Sequence, residues 1–260
     1  MKILPKTCKH YTWHFTAHFV LLLGLSLASC SSGYKLVKAN RADYAIDKAV
    51  LPDSSVIKTY QPYKQQLDDE MNQVLGYSEM AMTKNNDQPE TVLGNFFSDA
   101  VMQQALKYDP SIDFSMPSTK GGIRVDLPKG AIKLSNMFEL MPFENELVAF
   151  TLKGTDVQQL INFIAATNGQ PVAGIRLKIA DKKPVEVFIQ GKAFDPEKTY
   201  RVLTSDYIAG GGDNALGFKN PLEKKVLGLK VRDALINYVK EQGAAGKTIN
   251  AKLDGRITKD

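Results

Sequence analysis

Histidine is scarce in this 260-residue chain and confined to its start. His10, His14 and His18 are the only three. Everything downstream lacks the side chain whose unperturbed pKa lies nearest neutrality and which ligates metals most often. Serine–histidine or cysteine–histidine nucleophile pairs and imidazole-bound metal centres are thereby excluded from most of the chain. Cysteine is equally sparse, at Cys8 and Cys30. Long apolar runs are missing too: the most hydrophobic stretch, from Phe19 to Leu27, falls short of the roughly 20 apolar residues of a membrane-spanning helix.

That apolar stretch belongs to the opening segment "MKILPKTCKHYTWHFTAHFVLLLGLSLASC", in which Lys2, Lys6 and Lys9 come first, no acid follows, and small residues close the run. This is the layout of an export signal. Leu27-Ala28-Ser29-Cys30 resembles a bacterial lipobox, which implies a lipoprotein signal peptide over 1–29, an acylated Cys30 and a lipid-anchored tether over 30–55; a plain secreted protein is the other reading. Ser31 after the cysteine resembles lipoproteins sent to the outer membrane, facing the periplasm or the cell surface. Loss of 1–29 removes three lysines and no acid, so the formal charge of +5 falls to +2. The basic character is then no argument for nucleic acid, and Cys30 is left without a disulfide partner. About 230 residues remain, enough for a large core.

Val56, Tyr60, Tyr63, Leu67, Met71 and Val74 fall three or four apart, which predicts a helix in a linker-like segment over 56–82, with Pro62 near its start or at a kink. "TKNNDQP" breaks the pattern, and 83–89 reads as a connector. Pro89 then opens a second predicted helix, "ETVLGNFFSDAVMQQALKY". From Ile112 the period changes: strands are expected at 112–116, 122–127, 146–153, 173–180, 185–189 and 200–204. Thr155 and Gln158 form a capping-box pair before a helix through Val157, Leu160, Ile161 and Ile164, and a last helix runs from about Val231 to Gln242. The expected fold is α+β, a single domain of mixed sheets with packed helices.

Three short stretches stand out. Gly121-Gly122-Ile123-Arg124 places an arginine, whose planar fork suits phosphate or carboxylate, beside a permissive backbone. Met141-Pro142-Phe143-Glu144-Asn145 sets an aromatic and an amide on a turn. Asp206-Tyr207-Ile208-Ala209-Gly210-Gly211-Gly212-Asp213 carries three consecutive glycines between acids. Each alone has a structural alternative: a tight turn with a surface salt bridge for the first, a core phenylalanine for the second.

From about Glu90 to Ile257, "ETVLGNFFSDAV", "GGIRVDLPKGAI", "ELMPFENELVAFTLKG", "GIRLKI", "FDPEKTYRVLTSDYIAGGGDNALGF" and the closing "DGRI" occur in order. They resemble the C-terminal, substrate-binding domain of the 5'-nucleotidase and UDP-sugar hydrolase family, here over 90–258. The Val56–Leu75 segment is similar to that family's interdomain linker. The resemblance implies a nucleobase sandwiched by Phe143 and Tyr207, a ribose contact at Asp213, a phosphate contact at Arg124, and Asn145 near the base. Tyrosine replaces the commoner phenylalanine at 207. Thr119 stands where the family usually has an asparagine, and Lys120 follows it in place of glycine. Near Asp87 a further phosphate-contacting arginine is replaced.

Family members carry out hydrolysis in a metallophosphoesterase domain, where two divalent metals activate water. That domain is not read in this chain. The acids "LDDE" at 67–70 read as a solvated helix face, so no catalytic residue, metal ligand or cofactor is expected here; divalent metals are expected only in a partner. Three readings stay open: a nucleoside- or nucleotide-recognising subunit paired with a separate metallophosphoesterase, a free-standing nucleoside-binding lipoprotein, and an interaction domain with a decayed pocket.

Overall fold

The computed structural model describes His18, Leu36 and residues 38–47 and 50–260. Of the expected signal peptide over 1–29 only His18 is described, and Cys30 with residues 31–35 of the expected tether lies outside the described residues. The chain divides after Asp53. In the first unit, residues 38–47 form no regular structure, and Arg41 pairs with Asp43 at 2.8 Å. Among the described residues no helix is long and apolar enough to cross a membrane.

The second unit runs, in chain order, through α1 (Ser54–Met71), β1 (Val74–Ser78), α2 (Val92–Ala105), β2 (Phe114–Met116), β3 (Gly130–Lys133), α3 (Leu134–Leu140) and β4 (Glu146–Lys153). It continues with α4 (Gly154–Ala166), β5 (Ile175–Ala180), β6 (Lys183–Ile189), β7 (Lys192–Ala193), β8 (Thr199–Ser205), α5 (Asp206–Ala209), β9 (Glu223–Lys230), α6 (Val231–Ala244) and β10 (Ile257–Lys259). The fold is α+β, as the sequence predicts.

Its centre is a four-stranded sheet in the order β2-β8-β4-β9. β2 runs parallel to β8, and β4 runs antiparallel to both of its neighbours. Alternate side chains of a strand face opposite sides, and each side here has its own core. Leu147 and Ala149 of β4 and Leu203 of β8 face a core built with α2, α3 and α6. Val148, Phe150 and Leu152 of β4 and Val202 of β8 face a second core shared with α4 and with Ile175, Leu177 and Ile179 of a second sheet, ordered β10-β5-β6-β7. α2 is buried on most of its circumference, by Leu93, Phe96, Phe97, Ala100 and Val101, as befits a helix that is apolar nearly all round.

Register fixes which loops meet. Leu147 pairs with Ser205, Met116 with Thr204, and Glu146 with Lys230. The segments after β2, before β4, after β8 and after β9 therefore leave the sheet at one end.

Several local expectations shift. The first helix ends at Met71, where the Asn72 side chain bonds the Asp68 carbonyl at 2.7 Å. Val74–Ser78 then pairs with β3 as a strand instead of extending the helix. Thr91, not Pro89, caps α2, accepting a bond from the Gly94 amide at 3.0 Å. Residues 122–127 are not a strand: a 3₁₀ turn spans Lys120–Gly122, and the apolar signal there came from Ile123 and Leu127 being buried as anchors. α4 starts at Gly154, so Thr155 and Gln158 lie inside it, and Gln158 bonds Asn162 rather than closing a capping box. β9 escapes prediction because it is a lysine-bearing edge strand in which only Leu227 and Leu229 are buried, a common way of blunting an exposed edge.

Candidate functional site

At the loop-bearing end of the central sheet lies a cavity of about 630 Å³, within the range of small-molecule sites. Arg124, Phe143, Asn145, Tyr207 and Asp213 all line it. Thr119 stands behind them, its hydroxyl donating to Asp213 Oδ2. The six side chains singled out from the sequence are thus brought together from three loops.

The loop after β2 supplies Thr119 and Arg124. A Cβ at Gly122 would lie 2.1 Å from Ser118 Oγ and 3.5 Å from its Cβ, so the turn folds back closely on the Ser118 side chain. Ile123 is buried in the first core, the Arg124 amide bonds the Leu140 carbonyl at 3.0 Å, and the guanidinium lies 5.9 Å from the centre of the Phe143 ring. Phe143 is 41% exposed, which argues against the alternative of a core phenylalanine. It sits on a turn anchored by buried Met141.

The loop after β8 supplies Tyr207, 50% exposed, and Asp213. Ser205 caps α5 by accepting from the Ile208 amide, and Ile208 is buried in the second core. The Tyr207 hydroxyl donates to Asp213 Oδ1 at 2.9 Å. Asn145 spans the two sides, its amide donating to Asp206 Oδ1 at 3.0 Å.

Two elements escaped the sequence reading. Glu144, next to Phe143, is bound by both Lys230 and Arg232. Bonds from these two cations hold its carboxyl down at about 2, so the turn is fixed to the start of α6. Arg232 also stacks on Phe138, 4.1 Å from the ring centre. The second element is Lys120, whose ammonium donates to the carbonyls of Asn86, Gln88 and Asn168 at 3.2, 2.6 and 2.8 Å. Burial pushes it down to about 8, opposed by the nearby Asp87 charge. Its position beside the glycine pair was the only local signal. Asp87 does not line the cavity; its carbonyl accepts from Asn168 at 2.9 Å.

Among the described residues no three of His, Cys, Asp or Glu are grouped so as to hold a metal ion. The donor set required by a two-metal centre does not fit what these residues present. What the cavity offers is two accessible aromatic faces, the carboxylate of Asp213 beside that of Glu144, which Lys230 and Arg232 already hold, an amide and one cationic fork, a set suited to a flat ring carrying a polyhydroxyl arm.

Comparison with known proteins agrees with this composition. The family model described as the 5'-nucleotidase C-terminal domain matches residues 66–220. The cell wall protein Lmo0130 of Listeria monocytogenes is 24% identical over 80% of this chain and 30% of its own length. The trifunctional nucleotide phosphoesterase protein YfkN of Bacillus subtilis is 27% identical over 85% of this chain and 16% of its own. The crystal structure of a 5'-nucleotidase precursor from Thermus thermophilus superposes with a TM-score of 0.67 at 25% identity, covering 80% of this chain and 44% of that one. The chain thus spans less than half the length of each of these relatives, and with a family match over more than half of its own residues it belongs to the 5'-nucleotidase C-terminal domain family.

Proposed function

We propose that the protein is the nucleoside- or nucleotide-recognising partner in nucleotide breakdown, acting beside a separately encoded metallophosphoesterase that holds the divalent metals. The observation that carries this reading is the single cavity in which Phe143, Tyr207, Asn145, Asp213 and Arg124 converge. A base stacked between two aromatics gains roughly 1–3 kcal/mol per face, Asp213 accepts from the sugar hydroxyls, and Arg124 meets the phosphate. Helix α1 supports a docking role: Tyr60, Tyr63 and Leu67 are 44%, 74% and 50% exposed along one stripe, and apolar stripes of this kind mark interaction surfaces. Lipidation of Cys30 would hold the assembly at the outer membrane, on its periplasmic or outer face.

The test is phosphate release from AMP. The purified chain with manganese or zinc should release none, whereas cells making the chain with its partner should. Cleavage by the chain alone would overturn the reading.

A second reading, a nucleoside-capture lipoprotein without a catalytic partner, is favoured by one observation. Lys120, in place of the family's usual glycine, gives its three donors to main-chain carbonyls and so has none left for a phosphate. Calorimetric titration with adenosine and AMP separates the two: tighter binding of AMP supports the enzyme partner, binding of adenosine alone supports capture.

A further inference from the structure

Tyr207 offers the cavity more than a stacking face. Its hydroxyl is bonded to Asp213 Oδ1 at 2.9 Å, and the Thr119 hydroxyl is bonded to the other oxygen, Oδ2. The two donors come from different loops, Thr119 lying 94 residues from Asp213 in the chain. Asp213 itself has a left-handed backbone, with φ 53° and ψ 23°, on the 3₁₀ turn Gly212–Asn214. An exposed carboxylate on such a turn would otherwise sample several rotamers, and ordering it would be charged against ligand binding. Here both oxygens are already held.

An ionised carboxylate accepts at about four lone-pair positions. The two hydroxyls occupy one on each oxygen and leave one on each for the ligand. Two acceptors fixed on one carboxylate match two donors on adjacent carbons; a lone hydroxyl satisfies only one of them. The phenol stays a donor, because its hydrogen bond to Asp213 and the charge of that carboxylate both raise its pKa.

Resting on the nucleoside reading above, we propose that Tyr207 and Thr119 are positioning residues that lock Asp213 as a two-point acceptor and make the pocket selective for a vicinal diol, hence for ribonucleosides over their 2'- and 3'-deoxy counterparts. Phenylalanine, the commoner family residue at 207, keeps the ring and lacks the donor, so the phenolic lock on Asp213 is a property of the substitution in this chain.

The experiment is calorimetric titration of the purified protein with adenosine, 2'-deoxyadenosine and 3'-deoxyadenosine. The natural sequence should prefer adenosine about 10-fold or more, the size of one hydrogen bond to a charged group. Tyr207→Phe and Thr119→Val should each lose about 5-fold for adenosine and little for the deoxynucleosides, so that the preference shrinks; Thr119→Ser should retain it. Unchanged thermal midpoints show that each variant is folded. A Tyr207→Phe protein that keeps the full preference overturns the positioning role while leaving the nucleoside pocket standing. Equal binding of all three ligands by the natural sequence overturns the diol selectivity, and binding of none overturns the pocket reading together with it.

Discussion

The ring of Tyr207 lies directly against the backbone of Gly212. A Cβ added to Gly212 would come within 2.5 Å of Tyr207 Cε1 and 2.6 Å of Cδ1 and Cζ, closer than any real contact, and the obstacle is the ring itself rather than a flexible tip. The glycine is thus the backing of the stacking face. Gly212→Ala should push the ring out of place and weaken adenosine binding about 10-fold, the worth of one stacking face, with little change in unfolding midpoint. Calorimetry with a thermal melt checks both halves.

Phe143→Ala removes the cavity's other aromatic ring, and Phe143 makes no bond to Asp213. Binding of adenosine should fall about 10-fold or more, and titration of the purified variant measures it. Unaltered affinity would remove Phe143 from the site.

Far from the cavity, Arg201 and Asp109 form a buried pair, 9% and 6% exposed at the side chain and 2.9 Å apart. Burial alone would raise the Asp109 carboxyl, but bonds from Ser111 and Arg201 outweigh it and bring it from 3.8 to about 2. A carboxylate with a depressed folded pKa stabilises the protein fully above its unfolded value, and that contribution is lost as pH falls through about 4 toward 2. Asp109→Asn should cost about 1.5–3 kcal/mol near neutrality, the worth of a hydrogen bond to a charged group, because Glu223 still meets the Arg201 guanidinium at 3.0 Å, and should flatten the acid limb of stability. Urea melts between pH 2 and 7 read this, while adenosine binding stays unchanged.

Lys120 makes a pH prediction of the same sign in an alkaline window. Its folded pKa, about 8, lies below the ordinary 10.5. The unfolded chain therefore holds the proton more tightly, and stability attributable to this residue rises with pH between those values. Lys120→Met should abolish that rise and leave three carbonyls without their donor, a loss of about 1–3 kcal/mol. Amide hydrogen exchange should quicken around Asn86–Gln88 and Asn168, and comparison of melts at pH 7 and pH 10 tests the linkage.

Helix α1 should matter to the partner and not to the ligand. Replacing Tyr60 and Tyr63 by serine removes the two aromatic side chains of the stripe. The double variant should bind adenosine normally and fail to support phosphate release from AMP in cells that make the partner. Undiminished release would detach α1 from the catalytic role.

Much of the site was legible because each of its pieces is local. Gly121-Gly122, Phe143 with Asn145, and the triple glycine before Asp213 stand out by residue type, but it is the resemblance to the 5'-nucleotidase C-terminal domain, not their spacing, that joins them into one site. Their convergence follows from strand register, with β2 parallel to β8 and β4 antiparallel between its neighbours, which no short window of residues encodes. The bonding role of Lys120 was hidden for a related reason: its partners are main-chain carbonyls on two distant segments, and a carbonyl carries no residue identity. The misread segment 122–127 shows the reverse error, buried apolar residues taken for a strand when they serve as pegs for an irregular loop. In β9 the exposed lysines hid a strand whose ladder to β4 runs unbroken from Glu223 to Val226 before its register shifts.

The division of the hydrophobic interior by the central sheet has a mechanical corollary. Phe143 is rooted through Met141 in one core and Tyr207 through Ile208 in the other, so the two rings are the tips of a caliper whose beam is the paired strands β4 and β8. The opening of a caliper is set at the beam. The spacing between the two rings is accordingly written in the side-chain volumes of the two cores.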